Sequence, residues 1–383
     1  MDKKNKNPNV PNLRFREFNE QLVYTSFGHV MKLYRGSSPR PIINYVTTDK
    51  SGLNWIKIGD MPSTGNRVFF CKERINKEGS KKSRAVYKGD IILSNSMSFG
   101  KPYILEIDGF IHDGWFVIRD YQNYIDKTYL CQLLSSDAVQ KQYKSTAAGG
   151  VVKNISSDLV NSVKFHLPSI MEQRKIARFL ELIDQKIEVQ IKIIDDYNSL
   201  KMGIYNCMFK ENYADYKLKQ LAYIVKGDQI NNDQLLSNGS YYMMNGGASP
   251  SGYLDSYNVS ENTISISEGG NSCGYVQFNS SPFWSGGHCY TIQNVNSALI
   301  ENKYLYHYLK YKEKEIMNLR IGTGLPNIQK KDLENFTILV PSLLIQRKNL
   351  ALFEMLDEKI SILNEELANL QKQKKYLLCN MFI

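Results

Sequence analysis

The chain has 383 residues, 42% hydrophobic and 22% charged, with a formal net charge of +10 at pH 7. That length allows two or three domains, each with its own core, and the composition excludes a disordered or fibrous chain. The basic excess favours a polyanionic partner. No run approaches a membrane span, and residues 1–12 are Lys-, Asn- and Pro-rich without an apolar stretch, so a cytoplasmic protein with no membrane partner is expected.

The predicted elements fall into five segments: an N-terminal segment (1–21), a globular part (22–167), a helix (168–210), a second globular part (211–340) and a second helix (341–383). In the first globular part the pattern predicts strands at 54–58, 90–93 and 115–118, then a helix opening at Asp126. A Gly149-Gly150 turn and an Asn154-Ile155 pair follow, and a strand at 163–167 leads to Pro168. The second part predicts strands at 263–266, 274–278 and 289–292, a helix opening at Glu301, a glycine turn at 322–324, Asn327-Ile328 and a strand at 336–340. Many short strands with Gly, Asn and Ser turns and late helices point to an α+β domain on a curved, irregular sheet.

The helical segments repeat one another without a gap. Pro168, Gln173, Arg174 and Lys175 return as Pro341, Gln346, Arg347 and Lys348, and the match runs on to Met208-Phe209 and Met381-Phe382. Glu181, Asp184, Lys186, Ile187 and Lys201 recur as Glu354, Asp357, Lys359, Ile360 and Lys374. The chain is therefore a tandem of two similar units.

Within the first helix Ile176, Leu180, Ile183, Ile187, Gln190, Ile194, Tyr197, Lys201 and Ile204 alternate by four and three. Asn349, Phe353, Leu356, Ile360, Leu363, Leu367, Leu370, Lys374 and Leu377 repeat that seam. Ser169 is placed to cap the first helix, with Glu172 closing a capping box. Some 28 residues at 1.5 Å give about 42 Å, long for one small domain, so the two copies are expected to pack on each other. An antiparallel pair puts Ile183 opposite Leu370, Ile187 opposite Leu367 and Ile194 opposite Ile360; periodicity alone also admits a parallel pair.

Catalytic signatures are missing. There is no G-x-x-x-x-G-K-[ST] loop, no adjacent prolines such as an amino-methyltransferase uses to hold its target, no Pro-Asp to begin a nuclease site and no G-x-S-x-G. Gly269 to Gly274 lies between two predicted strands and reads as a turn. The six cysteines are scattered without metal spacing, so no metal site is expected. The loops instead hold side chains suited to bases and phosphates: Ser37, Ser38, Arg40, Lys81, Lys82, Arg84, Asn95, Ser96, Ser98 and Lys101 in the first part. In the second they are Asn245, Ser249, Ser251, Tyr253, Asn271, His288, Arg320 and Thr323. A loop or turn role competes at each position.

With these residues in view, the chain resembles the specificity subunit of type I restriction–modification enzymes. The repeated P-x-x-x-x-Q-R-K…D-x-K-I…K…M-F pattern carries the likeness, which extends over essentially the whole chain. The resemblance implies two target recognition domains (22–167 and 211–340) separated by two spacer helices that form an antiparallel coiled coil with pseudo-two-fold symmetry. It implies a noncatalytic chain that binds double-stranded DNA at a bipartite asymmetric site. The partners would be two methyltransferase subunits and restriction/translocase subunits, and S-adenosylmethionine, ATP and Mg²⁺ would sit on those partners. A rod near 42 Å compares with the 34–36 Å of one DNA turn, so the helices would act as a ruler between half-sites. A stand-alone repressor-like DNA-binding protein is the rival reading.

Overall fold

The computed structural model describes residues 9–62, 64–95, 100–147, 154–209, 213–322, 324 and 326–383. Ser96, Ser98, Thr323 and the Gly149-Gly150 turn lie outside them. The chain divides into two compact units, one formed by Met1–Lys192 with Asn364–Ile383 and the other by Ile193–Leu363.

In the first unit, Val23–Ser26 pairs antiparallel with Lys164–Leu167, bringing both ends of the globular segment to the start of the helix Ile170–Met208. A five-stranded sheet runs in the order Lys32–Arg35, Trp115–Arg119, Ile91–Ser94, Pro102–Leu105, Arg67–Val68. A second five-stranded sheet has Gly109–Ile111 parallel to Leu53–Ile56, flanked by Glu73–Ile75, Val46–Thr47 and Arg84–Val86. The second unit repeats this frame with fewer strands. Ala214–Lys217 pairs with Thr337–Val340, and a four-stranded sheet runs Tyr223–Lys226, Cys289–Gln293, Thr263–Ser267, Val276–Asn279. Trp284–Ser285 lies parallel to Tyr241–Met244, with Gly252–Leu254 antiparallel on its other side.

The repeated glutamines explain why the helices begin where they do. Gln173 Oε1 accepts from the Asp126 N–H at 2.9 Å, and its Nε2 donates to the carbonyls of Tyr124 and Pro168. Gln346 makes the same three bonds, to the Glu301 N–H and the Leu299 and Pro341 carbonyls. Each glutamine is buried and ties the first turn of a long helix to the N-terminus of the domain helix Lys127–Ser135 or Asn302–Tyr311. The expected capping box on Ser169 is not formed by Glu172, because both its carboxylate oxygens accept from Arg14, at 2.8 and 2.7 Å. The second copy has Ile345 there, exposed to solvent.

The helix Leu343–Asn380 runs antiparallel to Ile170–Met208 in each unit. In the first, Asp184 pairs with Lys374, and Gln190 Nε2 donates to Glu366 at 3.0 Å. In the second, Lys201 pairs with Asp357, and the Tyr205 and Phe353 rings lie edge to face at 4.8 Å. The repeated Asp and Lys thus form one ion pair twice, Asp184–Lys374 and Asp357–Lys201. Every expected seam residue is buried or half-buried. The register differs from the expected one, since these four contacts set Ile187 level with Leu370 rather than Leu367, a shift of one turn. Alignment of the ion pairs, which an apolar seam does not encode, accounts for the shift.

The seam ends also belong to domain cores. Ile176 and Leu180 join Tyr129, Leu130 and Leu133, and are met there by Met381 and Phe382 from the other helix. Phe353 likewise joins Tyr304, Leu305 and Tyr308 with Tyr205 and Phe209. The repeated Met-Phe therefore closes a core that the opposite helix opens.

Candidate nucleic-acid interface

Corresponding backbone hydrogen bonds build the candidate site in each domain. In the first, Gly36 N–H donates to Trp115 O, Ser37 N–H to Ile111 O, Asn95 N–H to Gly114 O and Ile155 N–H to Asn95 O. In the second, Gly227 donates to Cys289 O, Asp228 to Ser285 O, Glu268 to His288 O and Ile328 to Glu268 O. Arg35 therefore corresponds to Lys226, Asn95 to Glu268, and the sequence-repeated Asn154-Ile155 to Asn327-Ile328. The close approach at Gly36 and Gly227 needs glycine, for a Cβ would meet carbonyl oxygens at 2.0 and 2.3 Å.

In the first domain, Ser38 and Arg40 converge on Asp113, at 2.8 and 3.2 Å. The hydrogen bond from Ser38, ahead of that from Arg40, holds the Asp113 carboxyl below its ordinary range. These residues line a cavity of about 670 Å³ with Ile42, Trp55, Lys57 and His112. Burial pulls the His112 pKa down against the attraction of Asp113. Its Nδ1 accepts from the Gly114 N–H at 2.8 Å, which leaves Nε2–H as a donor. The cavity thus offers cationic and N–H donors beside an indole wall, a combination suited to base edges.

The other first-domain candidates separate. Lys81, on the short helix Lys77–Lys81, is exposed and pairs with Glu78. Lys82 is exposed and donates to the Tyr45 hydroxyl at 2.6 Å. Arg84 is half-buried, donating to the Arg35 carbonyl at 3.0 Å beside the Tyr34 ring. Ser37 is exposed. Asn95 is buried, and its Nδ2 holds the Asp113 carbonyl at 2.9 Å, so it braces the 112–114 turn from inside. Lys101 is half-buried over the Tyr103 ring, and burial lowers its pKa.

In the second domain the structure brings Asn245 and His288 together, with Asn245 Oδ1 accepting the His288 N–H at 2.9 Å. Both border a cavity of about 380 Å³ with Lys226, Glu268 and Asn327. Ser249 and Ser251 are exposed on the loop joining Tyr241–Met244 to Gly252–Leu254, and Tyr253 is exposed on the latter strand. Asn271 and Arg320 are exposed. Sequence reasoning passed over Trp55, Lys57, Asp113 and Lys226, because strand ends and turns carry no motif. Of these only Lys226 had a positional signal, as Glu268 did, each at or next to a strand end and beside a glycine. Trp55 lies within Leu53–Ile56, Lys57 just after it, and Asp113 in the turn before Trp115–Arg119.

The family model for the type I restriction modification DNA specificity domain matches residues 28–195 and 210–372, and the chain belongs to that family. A putative type I specificity subunit from Mycoplasma pneumoniae is 34% identical over 155 residues, covering 40% of this chain and 41% of the relative. The match thus spans less than half of that relative's length. A putative type I restriction enzyme specificity subunit from Methanocaldococcus jannaschii is 24% identical over 95% of this chain and 91% of its own. The fold is similar to the crystal structure of a type I restriction–modification S subunit from M. genitalium, with a TM-score of 0.63, 18% identity, and 98% and 99% of the two chains covered.

Proposed function

We propose that this chain is the noncatalytic specificity subunit of a type I restriction–modification complex, binding a bipartite asymmetric DNA site through its two domains. It would work in the cytoplasm and direct methyltransferase and restriction/translocase subunits to adenine methylation or cleavage. The observation that carries this reading is the doubled unit, in which Gln173 and Gln346 dock two differently lined recognition surfaces onto two equivalent helices. S-adenosylmethionine, ATP and Mg²⁺ belong on the partner subunits in this reading.

Two methyltransferase subunits are supported by a second repeat, on the outer faces of the helices. Met171, Leu182 and Val189 are exposed, and so are their counterparts Leu344, Met355 and Ile362. At about 100° per residue, spacings of eleven and seven place each trio on one face, opposite the seam. Equal apolar stripes suit two copies of one partner.

Single-molecule methylome sequencing of a host expressing this chain with its methyltransferase, against a host without the chain, tests the function. A bipartite methyladenine motif that depends on the chain is expected; unchanged methylation by a folded, co-purifying complex would shift the reading to a stand-alone DNA binder. Adding or removing seven residues in both helices is expected to change the number of unread base pairs.

A further inference from the structure

The second domain contains a buried carboxylate only half of which is satisfied. Glu268 Oε1 accepts from Lys226 Nζ at 2.6 Å and from the Tyr290 hydroxyl at 3.0 Å. Its Oε2 is buried and has no hydrogen-bond donor among the described residues; His288 Nδ1 stands off at 3.5 Å. The Glu268 side chain is 10% exposed and borders the cavity of about 380 Å³. Buried acceptors in native proteins are rarely left unmet, and one beside a cavity suggests a donor that arrives with a ligand. Asn245 supplies a complementary group there. Its Oδ1 is engaged by the His288 N–H, and its Nδ2 has no partner among the described residues. At the corresponding position of the first domain, Asn95 gives its amide to the Asp113 carbonyl.

We propose that Glu268 is a base-reading residue of the second domain, its Oε2 accepting a hydrogen bond from the exocyclic amino group of one base. This rests on the DNA-specificity reading and deepens it. In the major groove only adenine N6 and cytosine N4 donate; guanine O6 and N7 and thymine O4 are acceptors and repel a carboxylate. Lys226 offsets the charge that would otherwise push the polyanion away. The Asn245 amide donor beside the carboxylate favours adenine, which shows an acceptor, N7, next to its N6 donor.

The test begins with methylomes of the parent chain, Glu268→Gln and Glu268→Ala, each expressed with the methyltransferase. Both variants are expected to relax one amino-bearing position in one half-site and leave the other half-site and the spacing intact. A parent motif that both variants reproduce unchanged overturns the proposal, whereas a parent that yields no bipartite motif overturns the functional reading itself. A second arm uses the unmutated complex, so a folding defect cannot obscure the result. In duplexes of the parent motif, purine replaces adenine, or pyrimidin-2-one replaces cytosine, one position at a time, with the same changes in the spacer as the reference. A loss of roughly 5- to 150-fold in affinity is expected at the position relaxed in the methylome, and it shows whether the base is adenine or cytosine. No loss at any amino-bearing position of that half-site overturns the proposal.

Discussion

At one backbone position the first domain places Asn95, its amide bound to the Asp113 carbonyl, and the second places Glu268, which borders a cavity and has one buried carboxylate oxygen without a hydrogen-bond donor among the described residues. The surrounding main-chain bonds are the same in both. The difference teaches that the frame and the reading surface are separable. Backbone hydrogen bonds hold the strands whichever side chains line them, so the lining can change without loss of the fold. The helix attachments show the opposite behaviour, since Gln173 and Gln346 make identical bonds because one geometry must serve both units.

Removing a group present in only one copy should break this comparison most. Arg14→Ala leaves the Glu172 carboxylate buried without its partner, and a cost of about 3–5 kcal/mol is expected in urea unfolding. Hydrogen exchange should confine the loss to the first unit, because the second has Ile345 instead. Gln173→Leu and Gln346→Leu each strand three backbone groups, one buried and two part-buried, and each is expected to lower stability by about 2–4 kcal/mol. Similar penalties would support the equivalence of the two attachments, and a large disparity would refute it. Along the seam, fully buried Leu180→Ala should cost about 2–5 kcal/mol. Half-buried Ile187→Ala and Leu367→Ala should cost less, and equal losses would contradict the division between core and seam.

A pH scan sharpens the comparison on a smaller scale. His307 stands where the first domain has Gln132, and burial, with Lys201 and Lys303 adding to it, pushes its pKa down from 6.5 to about 3. Folded His307 is therefore neutral through this window, and unfolding takes up a proton. Its stabilising contribution is complete above the unfolded pKa and is lost as pH falls from 6.5 towards 3, by up to roughly 1.4 kcal/mol per pH unit. His307→Gln is expected to flatten that part of the second unit's melting profile between pH 7 and 4. The smallest effects belong to exposed charges: neutralising Lys81 or Lys82, if it meets a phosphate, should lower the salt slope of DNA binding by about one.

The sequence by itself determined the doubling, the helix starts, the seam and some strands of the core sheets. Those strands are Ile91–Ser94 and Trp115–Arg119 in one unit and Thr263–Ser267, Val276–Asn279 and Cys289–Gln293 in the other, while Lys32–Arg35, Arg67–Val68, Pro102–Leu105 and Tyr223–Lys226 went unmarked. The marked features are local or periodic, and the repeat showed the helix starts and the seam twice. The pairing register needed the tertiary structure, because an apolar seam admits several alignments and the Asp184–Lys374 and Lys201–Asp357 pairs select among them. The interior of each recognition surface needed it too. Asn95 and Asn245 are the same residue type in loops of similar composition, yet one is sealed behind a turn and the other borders a cavity. Burial and open hydrogen-bonding capacity arise from which strand ends the fold brings together, and residues far apart in sequence carry no local trace of that meeting.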